Sequence, residues 1–177
     1  AGHHWRVRTL DPVNTVWLFV LQILHGNTAC THVARLLPGR PVTDSAYCQA
    51  RSRLPLRVFT RLFHRMARGL QMQAAGPGWH GRRVLQVDGT CCSMPDTKEL
   101  DRAFGHPPAQ AAGCSFPVMH LLGLLESGTG FLIDLVPSPL RTHDARAVRW
   151  IHRHLRRGDI LVGDRAFSGF APLALLL

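Results

Sequence analysis

Along the first part of the chain apolar residues return every three or four positions, the period of an α-helix; beyond Arg83 they gather into short runs separated by Gly, Pro and Ser, as strands and turns do. Asp11-Pro12 reads as an N-cap followed by proline at the first helical position. Val13, Val16, Trp17, Val20, Leu21 and Leu24 then recur at helical spacing up to Gly26, which predicts a core helix. A second helix is expected from Thr28 to Leu37, stopped by Pro38-Gly39. A third starts near Thr43 and carries Tyr47, Ala50 and Leu54 before Pro55. Two short helices with a tight link are compatible with a helix-turn-helix, and equally with an ordinary helical pair in a small bundle.

A fourth helix is expected from Pro55 to about Gln73, and its residues separate cleanly at 100° per residue. Arg57, Arg61, Arg65 and Arg68 fall in one narrow sector, while Phe59, Leu62, Phe63, Met66 and Leu70 take the opposite side and are expected to pack. No acidic residue stands at i+3 or i+4 from these arginines, so the stripe suits either contact with a duplex phosphate backbone or plain solvation. The Gly and Pro cluster from Gln73 to Arg83, with Gly76-Pro77-Gly78 and Gly81, marks a boundary. It divides a basic, helical region, residues 1–80, from a second region, residues 81–177.

In that second region Arg83 to Val87 is a β-type run followed directly by Asp88-Gly89-Thr90, which puts a carboxylate where the strand leaves the sheet. Strands are expected from Val118 to Leu125 and from Phe131 to Val136, joined by a turn at Ser127-Gly128-Thr129-Gly130. A helix from about Thr142 to Arg157, with Val148, Ile151 and Leu155 on one side, is closed by Gly158. Ile160-Leu161-Val162 then delivers Asp164-Arg165. If the fourth strand lies parallel to the first through a right-handed crossover, Asp88 and Asp164 meet at one edge of the sheet. Two such carboxylates repel unless a divalent cation lies between them, and their hard oxygens suit Mg²⁺ or Mn²⁺. The plainer alternative is that Asp88 begins a turn and Asp164 caps a last helix.

Charge adds a partner to this picture. The chain has 177 residues and a net charge of +10, with 20 Arg to one Lys. Residues 1 to 83 hold 12 arginines against Asp11 and Asp44, whereas residues 84 to 177 hold 9 basic and 9 acidic groups, so the whole excess lies in the first half. A half-chain this basic attracts a polyanion, because each phosphate it neutralises releases condensed counterions. At 46% hydrophobic and 18% charged residues the chain can bury a core, which excludes a disordered tail. Its longest strongly apolar run, Val16 to Leu24, is far short of the roughly 20 residues a membrane-spanning helix needs. No secretory signal pattern supports export, so the cytoplasm is the default location and no membrane partner is expected.

Other residues attract bland readings. Cys30, Cys48, Cys91, Cys92 and Cys114 are odd in number with no C-x-x-C spacing, so they read as free thiols, with Cys91-Cys92 assigned to packing. The eleven histidines, including His3-His4, His152 and His154, are expected in solvated or capping roles. Ser127 to Gly130 lacks the Lys of a phosphate-binding loop. Ala1 in place of Met and the uncapped apolar run Ala171 to Leu177 suggest a piece of a longer chain.

Asp88-Gly89-Thr90, Pro95-Asp96-Thr97, Phe104-Gly105, and Gly158-Asp159-Ile160-Leu161 leading to Asp164-Arg165-Ala166-Phe167 form an ordered set. Trp17-Leu18-Phe19 through Asn27, Ala46 to Arg51 with Leu54-Pro55, Phe116-Pro117, Gly128-Thr129-Gly130 and Thr142-His143 followed by an acidic residue extend it across most of the chain. No one motif is specific, but together they resemble the DDE transposases of bacterial insertion sequences, in particular the insertion-sequence-four group. The resemblance implies a ribonuclease-H-like α/β core with a mixed sheet, here partial, after a basic helical DNA-binding region. It implies Asp88 and Asp164 as catalytic Mg²⁺ (or Mn²⁺) ligands and Arg165 as a phosphate contact. The implied activity is metal-dependent hydrolysis at transposon ends, then attack of the freed 3′-hydroxyl on target DNA. The implied partners are double-stranded DNA and, in the full-length protein, a second copy.

Two departures matter. The group's third acidic residue, a Glu on a later helix, has no counterpart within these residues; Asp134, Glu126 and Asp159 do not substitute for it by default, Asp134 lying inside a strand and Asp159 starting one. Leu100 stands where Asn is expected after Glu99. The polypeptide alone is therefore expected to be inactive. A non-enzymatic DNA-binding remnant and a different ribonuclease-H-like nuclease are the competing functions.

Overall fold

The computed structural model describes residues 9–36, 42–73, 78–108, 115–142 and 144–167. His3-His4, Pro38-Gly39, Gly76-Pro77, Cys114, His143 and the run from Ala171 to Leu177 lie outside the described residues. The chain divides into two compact units, Ala1–Leu62 and Phe63–Leu177.

The first unit is helical. Helix α1 (Pro12–Leu24) is capped by Asp11, whose carboxylate accepts the Asn14 amide at 2.7 Å. Helix α2 (Cys30–Val33) runs into a 3-10 turn at Ala34–Leu36, so the expected helix from Thr28 is a shorter, tightened piece. Helix α3 (Asp44–Ser52) is capped by Thr43 and buries Tyr47, Ala50 and then Leu54, as its spacing predicts. The face of α1 is a correction. Thr15, Leu18 and Gln22 are buried, while Val13, Trp17 and Leu24 of the expected core side are exposed. A polar side chain can go inside when its hydrogen bonds are made, and Gln22's are. It accepts from Tyr47 Oη and from Arg51 Nη1, each at 2.9 Å, and donates to the Thr28 carbonyl at 2.7 Å. This amide ties α1 to α3 around the Leu18, Val33 and Tyr47 core.

Helix α4 (Leu56–Gln73) spans the division between the units. Its arginine stripe, Arg57, Arg61, Arg65 and Arg68, is exposed throughout. The apolar side expected to pack does so only in part. Ala67 is buried and Phe63 half-buried, but Leu62 and Met66 are exposed. The packed face is turned toward His64, Ala67 and Gln71 because a buried carboxylate of the second unit engages His64, as described below.

In the second unit the sheet has the order β3-β2-β1-β4, with β1 (Val84–Ser93), β2 (Val118–Glu126), β3 (Phe131–Pro139) and β4 (Ile160–Gly163). β1–β2 and β2–β3 pair antiparallel, and β1–β4 parallel. This is the mixed α/β sheet that the resemblance implies, with β4 parallel to β1. Glu126 and Gly130 close the β2–β3 hairpin as expected, with the Gly130 amide 2.8 Å from the Glu126 carbonyl and Gly130 at φ 71°. Helix α5 (Lys98–Phe104) follows β1, capped by Thr97, whose hydroxyl accepts the Leu100 amide at 3.3 Å.

Leu85 and Val87 of β1, Leu122 and Leu124 of β2 and Ile133 of β3 form the core with Ala147, Ile151 and Phe167. β1 extends well past Val87, because its pairing with β2 continues to Ser93; the expected strand end at Asp88 is corrected to a mid-strand position. Cys91 and Cys92 lie on this extension and are exposed rather than packed. The expected helix from Thr142 to Arg157 is also corrected. Only α6 (Asp144–Ala147) is α-helical, followed by 3-10 turns at Val148–Trp150 and His152–His154. Arg146, Arg149, Arg153, Arg156 and Arg157 would set like charges three and four residues apart on a regular helix, and Asp134 draws Arg153 and His154 toward the sheet.

Candidate functional site

The parallel ladder between β1 and β4 carries the geometry. Val84 pairs with Ile160, Leu85 with Leu161, Gln86 with Val162 and Val87 with Gly163. Asp88 on β1 and Asp164 just after β4 are the next residues in register, so they leave the β1–β4 ladder side by side. Neighbouring strands lie about 4.8 Å apart. Side chains alternate across the sheet: Val87 points into the core, and Asp88 is exposed on the other face. Asp164 is exposed too. Asp88 Oδ1 accepts its neighbour's amide, Gly89 N, at 2.8 Å.

Gly163 makes the close approach possible. A Cβ built there would lie 2.9 Å from both Val87 Cγ1 and Phe167 Cδ2, so no larger residue fits between β1 and the turn that follows. That turn is a 3-10 turn, Arg165–Phe167, closed by the Phe167 amide on the Asp164 carbonyl at 3.1 Å. Phe167 is buried in the core, which anchors Asp164 and exposed Arg165 at the sheet edge.

The donor set fits a hard divalent cation in part. Two exposed carboxylates just past the last pair of a parallel ladder match the one or two that Mg²⁺ takes from a protein, its other positions going to water and substrate phosphate. Among the described residues no group of three His, Cys, Asp or Glu side chains is arranged to hold a metal ion. Among the described residues the sheet therefore brings two carboxylates together and no third.

A second carboxylate centre was missed by residue-by-residue reading. Leu124 pairs with Asp134 but Leu125 with Leu132, so Ile133 is an extra residue in β3. This bulge turns Ile133 and Asp134 inward together, each 1% exposed. His64 Nε2 donates to Asp134 Oδ1 at 3.2 Å and the Leu135 amide to the same oxygen at 2.9 Å. Arg153 Nη2 and His154 Nε2 donate to Oδ2 at 2.7 and 2.8 Å. Burial alone would raise the Asp134 pKa, but the hydrogen bonds from Arg153, His154, His64 and the Leu135 amide outweigh it and hold the group below the usual carboxylate range. His154 is thus a partner of a buried acid, not the solvated or capping residue expected of it. The available signal was the lone Asp inside an apolar strand: a charge buried there needs partners.

Asp159 is also held below the ordinary carboxylate range. Burial opposes this, but Arg83 and the Arg156 amide prevail. Arg83 reaches both Asp159 oxygens and the His154 carbonyl at 2.8 Å, so it clamps the starts of β1 and β4 together. Glu126 is turned onto its own hairpin, accepting the Gly128 and Thr129 amides at 3.1 and 2.8 Å. None of these three acids stands beside the Asp88 and Asp164 pair. Among the described residues no helix is long and apolar enough to cross a membrane.

Residues 79–174 match the family described as the transposase DDE domain. The chain is 31% identical over 126 residues to the Escherichia coli (strain K12) protein InsZ, covering 70% of this chain and 42% of InsZ. It is 41% identical over 105 residues to the transposase InsG for insertion sequence element IS4 of the same organism, covering 56% of this chain and 24% of InsG. The chain thus spans less than half the length of either relative. Among solved structures, the Mos1 transposase paired-end complex with left transposon end is similar at 12% identity and a TM-score of 0.35, covering 99% of this chain and 58% of that one. A Mos1 mariner paired-end complex with Mn is similar at 14% identity and a TM-score of 0.34, covering 99% and 59%. These structural likenesses are too low to carry the fold, which rests on the strand order.

Proposed function

This chain belongs to the transposase DDE-domain family, and on that premise we propose that it is part of a DNA transposase whose Asp88 and Asp164 are two of the metal ligands of the cutting and joining site. The reaction is hydrolysis at transposon ends followed by transfer of the freed 3′-hydroxyl to target DNA. The observation that carries this reading is the register of β1 and β4, which ends at Val87 and Gly163 and so releases the two aspartates together.

Asp88 and Asp164 would hold Mg²⁺ or Mn²⁺, which when bound neutralises charge on the attacking and leaving oxygens of an in-line displacement. The chain's own residues orient the DNA. Arg165, one residue beyond Asp164, reaches a phosphate beside the scissile one. Arg57, Arg61, Arg65 and Arg68 neutralise duplex phosphates along α4. The 177-residue polypeptide by itself is proposed to be inactive, because among the described residues no third acidic side chain joins Asp88 and Asp164. The full-length protein works as a homodimer on double-stranded DNA in the cytoplasm.

The absence of a three-ligand group among the described residues also favours a second reading, a DNA-binding remnant without chemistry. Manganese binding separates the two. In a calorimetric titration the wild-type chain takes up Mn²⁺ and Asp88→Asn/Asp164→Asn does not; equal uptake by both overturns the metal assignment. Supercoiled DNA with Mg²⁺ stays intact in the presence of the purified 177 residues, and robust nicking would contradict the proposed incompleteness. Arg57→Ala/Arg61→Ala/Arg65→Ala weakens duplex binding evenly across sequences and flattens its salt dependence; an unchanged salt slope ends the role given to the stripe.

A further inference from the structure

The second unit contains a cleft of about 420 Å³ that takes no part in the site at Asp88 and Asp164. Its walls are His64, Arg68 and Gln71 from α4, and Arg153, His154 and Arg156 from the segment that leads to β4; Ala67 and Ile133 form its apolar base. Every polar lining side chain is a hydrogen-bond donor or can serve as one, and no lining residue is acidic. The acids nearby are already engaged: Asp134 by four donors, Asp159 by Arg83 and the Arg156 amide, Glu126 by its own turn. Among the described residues, neither Arg68 nor Arg156 makes an ion pair. The Arg156 charge acts on Asp159, but neither guanidinium is fixed in an ion pair; two such forks, backed by an amide and two imidazoles, suit the oxygens of a phosphodiester.

The sheet face matters as well. Asp134 lies in register with Leu124, which lies in register with Val87, and all three are buried on the covered face. Asp88 alternates to the opposite, open face. A phosphate in the cleft is therefore separated from the carboxylate pair by the sheet and cannot be the one being cut.

We infer that this cleft binds a backbone phosphate of duplex DNA outside the scissile position, with Arg68 and Arg156 as the phosphate contacts and the Asp134 cluster as the scaffold that holds its walls in place. The inference rests on the reading that DNA is the partner, and it adds a second place of contact to that reading. The bland alternative is a latch that only fastens α4 to the sheet, and removal of Arg68 and Arg156 separates the two because neither touches Asp134.

The test measures binding of a fluorescent duplex to the purified chain by anisotropy between 50 and 300 mM salt. Arg156→Ala, which leaves the α4 stripe whole, and Arg68→Ala/Arg156→Ala are compared with Arg102→Ala and Lys98→Ala/Arg102→Ala, which remove the same charge from exposed positions on α5. Each loss in the cleft, that of Arg156 alone included, is expected to lower the slope of log K against log salt by about 1 and to weaken binding about tenfold at 0.1 M salt; the α5 variants change the slope by less than about 0.5. Equal effects of the cleft and α5 variants, or no effect of Arg156→Ala by itself, overturn the cleft while leaving DNA as the partner. No duplex binding by the unsubstituted chain at 50 mM salt overturns both. Micromolar uptake of inorganic phosphate that Arg156→Ala abolishes while duplex affinity stays unchanged assigns the cleft to the free ion and also overturns the proposal.

Discussion

The two faces of the sheet treat a carboxylate in opposite ways. On the covered face Asp134 is buried and every lone-pair direction that matters is met by a donor of the chain itself, so its charge is neutralised before any ligand arrives. On the open face Asp88 and Asp164 are exposed, each the residue that follows the last β1–β4 pair. The difference lies in what each charge costs the fold. A buried carboxylate is tolerated only with its partners in place, whereas an exposed one keeps much of its hydration.

Removing the buried charge should have the largest effect. Asp134→Ala is expected to lower the unfolding free energy by about 3 kcal/mol, because it strips the common acceptor from His64, Arg153 and His154. Urea denaturation measures this, and a loss below about 1 kcal/mol would erase the contrast between the faces. Gly163→Ala comes next, at about 1–3 kcal/mol, because the new methyl meets Val87 and Phe167 at 2.9 Å; a chain of wild-type stability would show that β4 can shift without cost. Acid probes the same centre more gently. The folded-state pKa of Asp134 lies below its unfolded value, so its stabilisation is complete above the ordinary carboxylate pKa of about 4 and is lost as pH falls through the lowered value. Melting temperature should hold steady from neutral pH to about 5 and then decline, and Asp134→Asn should show a shallower decline. The smallest change in stability is expected for Asp88→Asn, within about 0.5 kcal/mol in the absence of divalent metal. A large loss there would mean that the open face, too, uses an acid for folding.

Local patterns were legible wherever a residue's neighbours in sequence decide its structure. Asp11-Pro12 and Thr43 start α1 and α3, Gly130 closes the hairpin, and the arginine stripe of α4 is exposed along its length. Reading failed where a distant group intervened. Gln22 goes inside because Tyr47 and Arg51 meet it, which leaves Trp17 and Leu24 outside against their hydrophobicity. The helix expected from Thr142 breaks into short turns as Asp134 takes Arg153 and His154. Asp88 proved to be a mid-strand residue because β2 continues to pair beyond it.

Composition, charge and the ordered motifs around Asp88 and Asp164 determined by themselves the class of fold, the basic first half and the two acids to watch, because periodicity, capping and net charge are properties of neighbours along the chain. Which strand lies beside which, the extra residue in β3 and the cluster gathered on Asp134 were decided only in three dimensions. Pairing register and the satisfaction of a buried charge depend on groups as far apart in sequence as His64 and Asp134.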